Sequence, residues 1–290
     1  MRLMTSDEFK KCELDALKKI DSICLDNGFR YYLAFGTLLG AVRHKGFIPW
    51  DDDVDVWLPR PDYEKFLHFC INNEETIYPY KIAHYSNNSS YCMAMARFFD
   101  QRTKVVENHV RECGLGVFID IYPLDGCGNT EEESLKVFLK NKARRFLVGI
   151  GAPSTFEASH NGAVKNIVKY LCYKYANMRG ISKLLYQMDM ESMKHKYVEE
   201  KYIASTVWAI YRRGKGKSGW IGTSNSVDIF KKEWFDKSMR MQFEDAEVSI
   251  PWKYDEILTN RYGDYMSLPP VSEQKGHHDT MAYFKGNEEL

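Results

Sequence analysis

Residues 46–60 read GFIPWDDDVDVWLPR, which sets four aspartates into five positions behind Trp50 and follows them with valine, tryptophan and leucine. Pro49 breaks the chain ahead of the acids, and DVDVWL reads as a strand, in which residues two apart share a face. Asp53 and Asp55 then project side by side while Val54 and Val56 face a core, with Asp51 able to join if the strand begins early. Carboxylates this close repel, which raises the pKa of at least one unless a cation lies among them. A hard divalent cation such as Mg²⁺ or Mn²⁺ prefers oxygen ligands and resolves the conflict. A calcium loop does not fit, because Val56 stands where the EF-hand needs glycine, Asp62 replaces the closing glutamate, and Pro59 and Pro61 interrupt it.

Upstream, Phe9, Leu14, Leu17, Ile20, Ile23 and Cys24 recur mostly at three- and four-residue spacing, so residues 6–27 form an amphipathic helix that ends at Asn27 and Gly28. FRYYLAF (residues 29–35) is an aromatic strand. GTLLGAVRHKG (36–46) follows as a short helix with Thr37 as its N-cap, basic Arg43, His44 and Lys45 in its last turn, and Gly46 as the stop. Downstream, Pro61 opens a helix at a position that tolerates proline. Strands follow at residues 80–85, 91–98, 102–107 and 115–124. Thr130 caps a helix that runs to about residue 150, and a second helical stretch spans 163–201 with a break at Gly180. RMQFEDAEVSIP (240–251) is a hairpin, and a last helix closes near Gly263. Strands and helices do not alternate regularly, so the expected class is α+β: a mixed sheet flanked by helices, with a core from residues 1–130 and 218–290 and a helical insertion over 131–217.

The third acid of interest is Asp120 in VFIDIYPLDG (117–126), a lone carboxylate between two isoleucines in an apolar strand, where burial is costly without a partner or a metal. Forty basic residues balance forty acidic ones, which gives no sign of a nucleic-acid partner. Between Lys136 and Lys217, however, seventeen Lys and Arg face five Asp and Glu, a local net charge of +12. That segment suits an anionic polymer or the inner face of a membrane. The seven cysteines are scattered and include no C-x-x-C pair, and no apolar run reaches the roughly 18 residues of a membrane span, so a cytoplasmic protein, at most peripheral on the membrane, is expected.

A glycine with a small hydroxyl residue, then D-h-D-h, then h-D-h is similar to the nucleotidyltransferase superfamily pattern, with fifteen residues between Thr37 and Asp53. The longer run YYLAFGTLLGAVRHKGFIPWDDDVDVWLPRPDYEKF (31–66), with IDIYPLDG (119–126) and RYGDY (261–265), resembles the LicD family. The resemblance implies a metal-dependent transferase of the nucleotidyltransferase fold. Such enzymes move phosphocholine from CDP-choline to a sugar of a surface polymer such as teichoic acid, lipopolysaccharide or capsule; fukutin-type relatives move ribitol phosphate. It also implies Asp53 and Asp55 as metal ligands, Asp120 as a third ligand or the base, Gly36 and Thr37 at the nucleotide phosphates, and Arg43, His44 and Lys45 as further phosphate contacts. His277 and His278 fall in the late region that shares the resemblance. A D-x-D glycosyltransferase and a catalytically silent glycan-binding relative are the alternative readings.

Overall fold

The computed structural model describes residues 1–108, 110–158, 162–207, 228–274 and 280–286. In chain order the elements begin with β1 (Arg2–Leu3), α1 (Ser6–Asn27), β2 (Tyr32–Leu33), α2 (Phe35–His44), β3 (Asp55–Pro59), α3 (Arg60–Asn72) and β4 (Tyr80–Ala83). They continue with β5 (Ala96–Asp100), β6 (Thr103–Glu107), β7 (Phe118–Gly126), α4 (Glu131–Leu139), α5 (Lys142–Gly151), α6 (Ala163–Arg179) and α7 (Ile181–Ser192). β8 (Tyr202–Ala204), β9 (Ile229–Lys231), β10 (Ser238–Phe243), β11 (Ala246–Pro251), α8 (Tyr254–Tyr262) and β12 (Thr280–Phe284) complete the chain.

Local chemistry sets several of these boundaries. Thr5 accepts from the Glu8 N–H while the Glu8 carboxylate accepts from the Thr5 N–H, a capping box that starts α1. Gly28, at φ 68°, ends it in the left-handed conformation that glycine adopts without strain. Pro61 sits in the first turn of α3, and the Thr130 hydroxyl accepts from the Glu133 N–H to cap α4.

The main sheet has the order β2-β3-β7-β5-β4, and β8 and β9 extend it from the far end of β7. β3 and β7 run parallel, while the other pairings in this sheet are antiparallel. This confirms the mixed α+β class. β3 is buried along its whole length and β7 along nearly all of it, which explains why both read as apolar runs broken only by their acids. α1 packs on β5, β7 and β11, and α3 packs on β3, β4 and β7. The core continues into the last third of the chain, where Trp57 meets Phe230 and Phe235 edge-on and the Tyr32 hydroxyl donates to the Phe235 carbonyl at 2.6 Å. β1, β12 and β6 form a separate three-stranded sheet, and β10 with β11 makes the expected hairpin. The seven cysteines are free thiols.

The structure differs from the sequence reading in several places, and the helix expected from Thr130 to about residue 150 divides into α4 and α5. The aromatic strand over 29–35 shrinks to Tyr32–Leu33, because Ala34 already caps α2. The strand expected over 91–98 begins only at Ala96. β3 starts at Asp55, so Asp53 lies just outside the ladder. Residues 202–204, inside the span expected to be a helical insertion, form β8 and pair with β7 and β9. The helices α5, α6 and α7 enclose an apolar cluster of their own, centred on Ala176, Leu184, Leu185 and Met188. The basic segment beyond residue 207 lies outside the described residues.

Candidate metal and transfer site

The parallel pairing of β3 and β7 sets Asp55 directly opposite Asp120. Both are buried, at 7% and 9% exposure. Burial first, then the neighbouring charges of Asp53, Asp120 and Asp51, push the Asp55 carboxyl well above the ordinary carboxylate range. Its Oδ1 is buried and has no hydrogen-bond partner. Such an orphaned oxygen is rare in a folded protein and fits a site meant for a cation. Asp51, Asp52 and Asp53 gather beside it, with one carboxylate oxygen of each within 4.8 Å of the others. The structure thus brings Asp53, Asp55 and Asp120 into mutual electrostatic range and adds Asp51 and Asp52 to the same corner. An all-oxygen donor set of this kind suits Mg²⁺ or Mn²⁺.

Thr37 does not cap α2. The N-cap is Ala34, which makes no side-chain cap bond, and Phe35 enters the helix at φ 44°. The Thr37 hydroxyl instead accepts from the Asp55 N–H at 2.9 Å, fixing the first residue of β3 to the first turn of α2. Its partner lies eighteen residues away in sequence, so no local signal marks the bond. Thr37→Val should strand that buried N–H and cost about 1–3 kcal/mol in denaturant melts, whereas Thr37→Ser should melt near the wild type. Gly36 lies close against the acids, because a Cβ there would come within 2.6 Å of Asp51 Oδ2 and push that carboxylate aside. The first turn of α2 therefore touches a carboxylate, a favourable partner for a helix N-terminus.

Four residues that the sequence reading gave no role complete the site. Arg97 donates from Nε to Asp120 Oδ1 at 2.8 Å and also pairs with Glu107. Burial still outweighs this guanidinium, and the Asp120 carboxyl stays above its ordinary range. The Tyr122 hydroxyl, two residues along the same face, donates to Asp120 Oδ2 at 3.5 Å. Arg261 in α8 pairs with Asp228, lies 4.4 Å over the Phe35 ring, and contributes the positive field that draws the Asp55 carboxyl down. Glu13 in α1 is only 1% exposed and its Oε2 lacks a hydrogen-bond partner. Burial and then Asp53, Asp52 and Asp51 push its carboxyl well up, which places it on the acidic corner. A signal for Glu13 existed: it interrupts the apolar stripe of α1 four residues after Phe9 and four before Leu17. Arg97 had one too, as a lone cation in an apolar strand that the antiparallel register sets against Asp120.

Arg43, His44 and Lys45 sit at the other end of α2, about 9–12 Å along the axis from Thr37. Arg43 Nη1 donates to the Tyr265 carbonyl at 2.9 Å, which ties α2 to the loop after α8. His44 packs edge-on to Trp50, and burial followed by Arg43 lowers its pKa. Lys45 is exposed and takes the left-handed C-cap position expected of Gly46, at φ 62°. His277 and His278 lie outside the described residues.

Residues 28–142 match the family model described as LicD/FKTN/FKRP, nucleotidyltransferase domain. The lipopolysaccharide cholinephosphotransferase LicD of Haemophilus influenzae is 29% identical over 283 residues, covering 98% of this chain and 99% of that protein. An uncharacterised protein of Rickettsia typhi is 30% identical over 125 residues, 42% of this chain and 37% of the relative. One of Rickettsia prowazekii is 44% identical over 46 residues, 16% of this chain and 17% of that relative. The matched span includes β3, β7, the first turn of α2 and every acid of the site except Glu13, so the part of the chain that builds the acidic corner is the part similar to the LicD-type nucleotidyltransferase domain.

Proposed function

We propose that the protein transfers phosphocholine, or a similar phospho-alcohol, from a CDP-activated donor such as CDP-choline to a hydroxyl of a cell-surface glycan or its lipid-linked precursor. The observation that carries this reading is the facing pair Asp55 and Asp120, with the unpartnered Asp55 oxygen beside Asp51, Asp52 and Asp53. Similarity to a lipopolysaccharide cholinephosphotransferase along nearly the whole chain supports the choice of transferred group and acceptor class. Teichoic acid and capsule are acceptors of the same chemistry.

The acceptor oxygen bonds to the phosphorus that carries choline, the bond from that phosphorus to the bridging oxygen breaks, and CMP leaves. Asp53 and Asp55 would hold a divalent cation, Mg²⁺ or Mn²⁺. Bound there, it would neutralise charge on the diphosphate and on departing CMP. Asp120 receives the hydroxyl proton: burial raises its affinity for one, and the bond from Arg97 keeps the carboxylate aligned. The first turn of α2 at Gly36 and Thr37 serves the donor phosphates, whereas Arg43, His44 and Lys45, at the opposite end of that helix, stand too far from it to share them, with Lys45 the exposed member.

The test is to incubate the protein with CDP-choline, CDP-ethanolamine, CDP-glycerol, CDP-ribitol or nucleotide sugars, with lipopolysaccharide-type oligosaccharide acceptors, and to resolve the released nucleotides. Release of CMP that needs acceptor and stops on chelation with EDTA is expected. A nucleoside diphosphate from a nucleotide sugar would assign a glycosyltransferase instead, and no release with any pair would leave a binding protein.

A further inference from the structure

α6 packs onto α5 and α7 through a narrow face on which Ala176 is fully buried. Gly151 of α5 allows the close approach, since a Cβ there would lie 3.0 Å from that of Ala176. The opposite side of the same helix is apolar and open. Val164, Ile167, Val168, Leu171, Tyr175 and Met178 recur three or four residues apart and fall within an arc of about 100°. Their exposure runs from 46% at Tyr175 to 77% at Met178. Scattered exposed apolar residues need no explanation, but a continuous helical stripe does.

Charge identifies what covers the stripe. α6 contains no Asp or Glu. Lys174 flanks one edge of the stripe and Arg179 and Lys165 the other, positions from which long stems can lie along apolar surface while the cations reach outward. A second copy of this basic helix would place these cations against each other. An anionic bilayer surface accepts both features at once, acyl chains under the stripe and phosphate headgroups around the lysines. No helix among the described residues is long and apolar enough to cross a membrane. We propose that α6 is an interfacial docking helix that lies in the surface of a membrane rich in anionic lipid, with the 164–178 stripe turned into it. The inference is independent of the chemistry assigned to the aspartates.

The full-length protein is mixed with vesicles of phosphatidylcholine, with or without phosphatidylglycerol, and the bound fraction is read by flotation. Binding to the anionic vesicles, weakened by salt and by about tenfold in Ile167→Glu/Leu171→Glu, is expected. Lys165→Glu/Lys174→Glu leaves the stripe intact and should also lower binding to the anionic vesicles. Both variants carry exposed changes, and thermal melts that match the wild type establish that they fold. Equal binding of the wild type to neutral vesicles, or an Ile167→Glu/Leu171→Glu variant that binds as the wild type does, would overturn the proposal. So would a dimer in sedimentation that the same variant dissolves, with no binding to vesicles.

Discussion

Asp55→Asn is expected to lower the rate of CMP release about 10³-fold, ~4 kcal/mol of barrier, while the cation-free protein melts at the same temperature as the wild type or higher. The two effects share one cause. Asp55 is buried with an unpartnered oxygen among like charges, so its carboxylate opposes the folded state unless a cation neutralises it. Asparagine keeps the shape and removes the charge. Asp53→Asn should show the same loss of activity. Added Mg²⁺ should raise the melting temperature of the wild type, since a ligand that binds only the native state stabilises it, and should leave Asp55→Asn unmoved. The pH dependence has a definite sign. The carboxyls of Asp55 and Glu13 are raised in the folded state, so their contribution is fully present below the unfolded carboxylate range. It is lost as pH rises through the folded values. Cation-free stability should therefore fall as pH rises, less steeply in Asp55→Asn. A variant that kept more than about a tenth of the activity would remove Asp55 from the reaction.

The parts of the fold that could be read from sequence are those whose boundaries rest on nearby residues. α1 ends at a glycine in the left-handed region, α3 opens at Pro61, and Thr130 caps α4 with a bond three residues long. Asp55 and Asp120 were legible for a different reason: an acid in an otherwise apolar strand conflicts with its surroundings unless chemistry resolves it. What stayed hidden depends on partners far along the chain. The Thr37 hydroxyl looks like a cap until the Asp55 N–H occupies it. Arg261 joins the site from α8, more than two hundred residues after Asp55, by packing over Phe35. β8 is three residues long, too short for any periodicity, and exists because the end of β7 offers it a ladder. The DDD run could not be divided by strand alternation alone, since β3 begins only at Asp55 and Asp51 to Asp53 gather ahead of it.

Arg60→Met is expected to destabilise the protein by about 3–5 kcal/mol and to lower its melting temperature by on the order of 10 °C. Arg60 holds Asp125 with two parallel bonds, at 2.6 and 3.1 Å, and reaches Glu64 at 2.9 Å and Asp189 at 2.8 Å. Asp125 is fully buried and takes a further bond from the Thr206 hydroxyl, while Asp189 accepts from Tyr85 at 2.8 Å. One guanidinium therefore joins the end of β7 and the start of α3 to α7, the helix that carries the separate apolar cluster. Methionine fills the space and leaves Asp125 unpaired in the interior. Burial already holds the Asp125 carboxyl above its ordinary range despite Arg60, and without the cation it rises further. The deficit should then be smallest below the carboxylate range, where Asp125 is protonated in both states, and should grow as pH rises from about 4 toward neutrality. Arg60→Met/Asp125→Leu should recover part of the loss, because a buried pair replaced whole costs far less than one broken. The hub lies about 16 Å along β7 from Asp120, so CMP release below the melting transition should stay within a few fold of the wild type. Thermal melts of the single and double variants between pH 4 and pH 8 measure all of this, and a single variant as stable as the wild type at neutral pH would show that Arg60 does not hold α7 to the sheet.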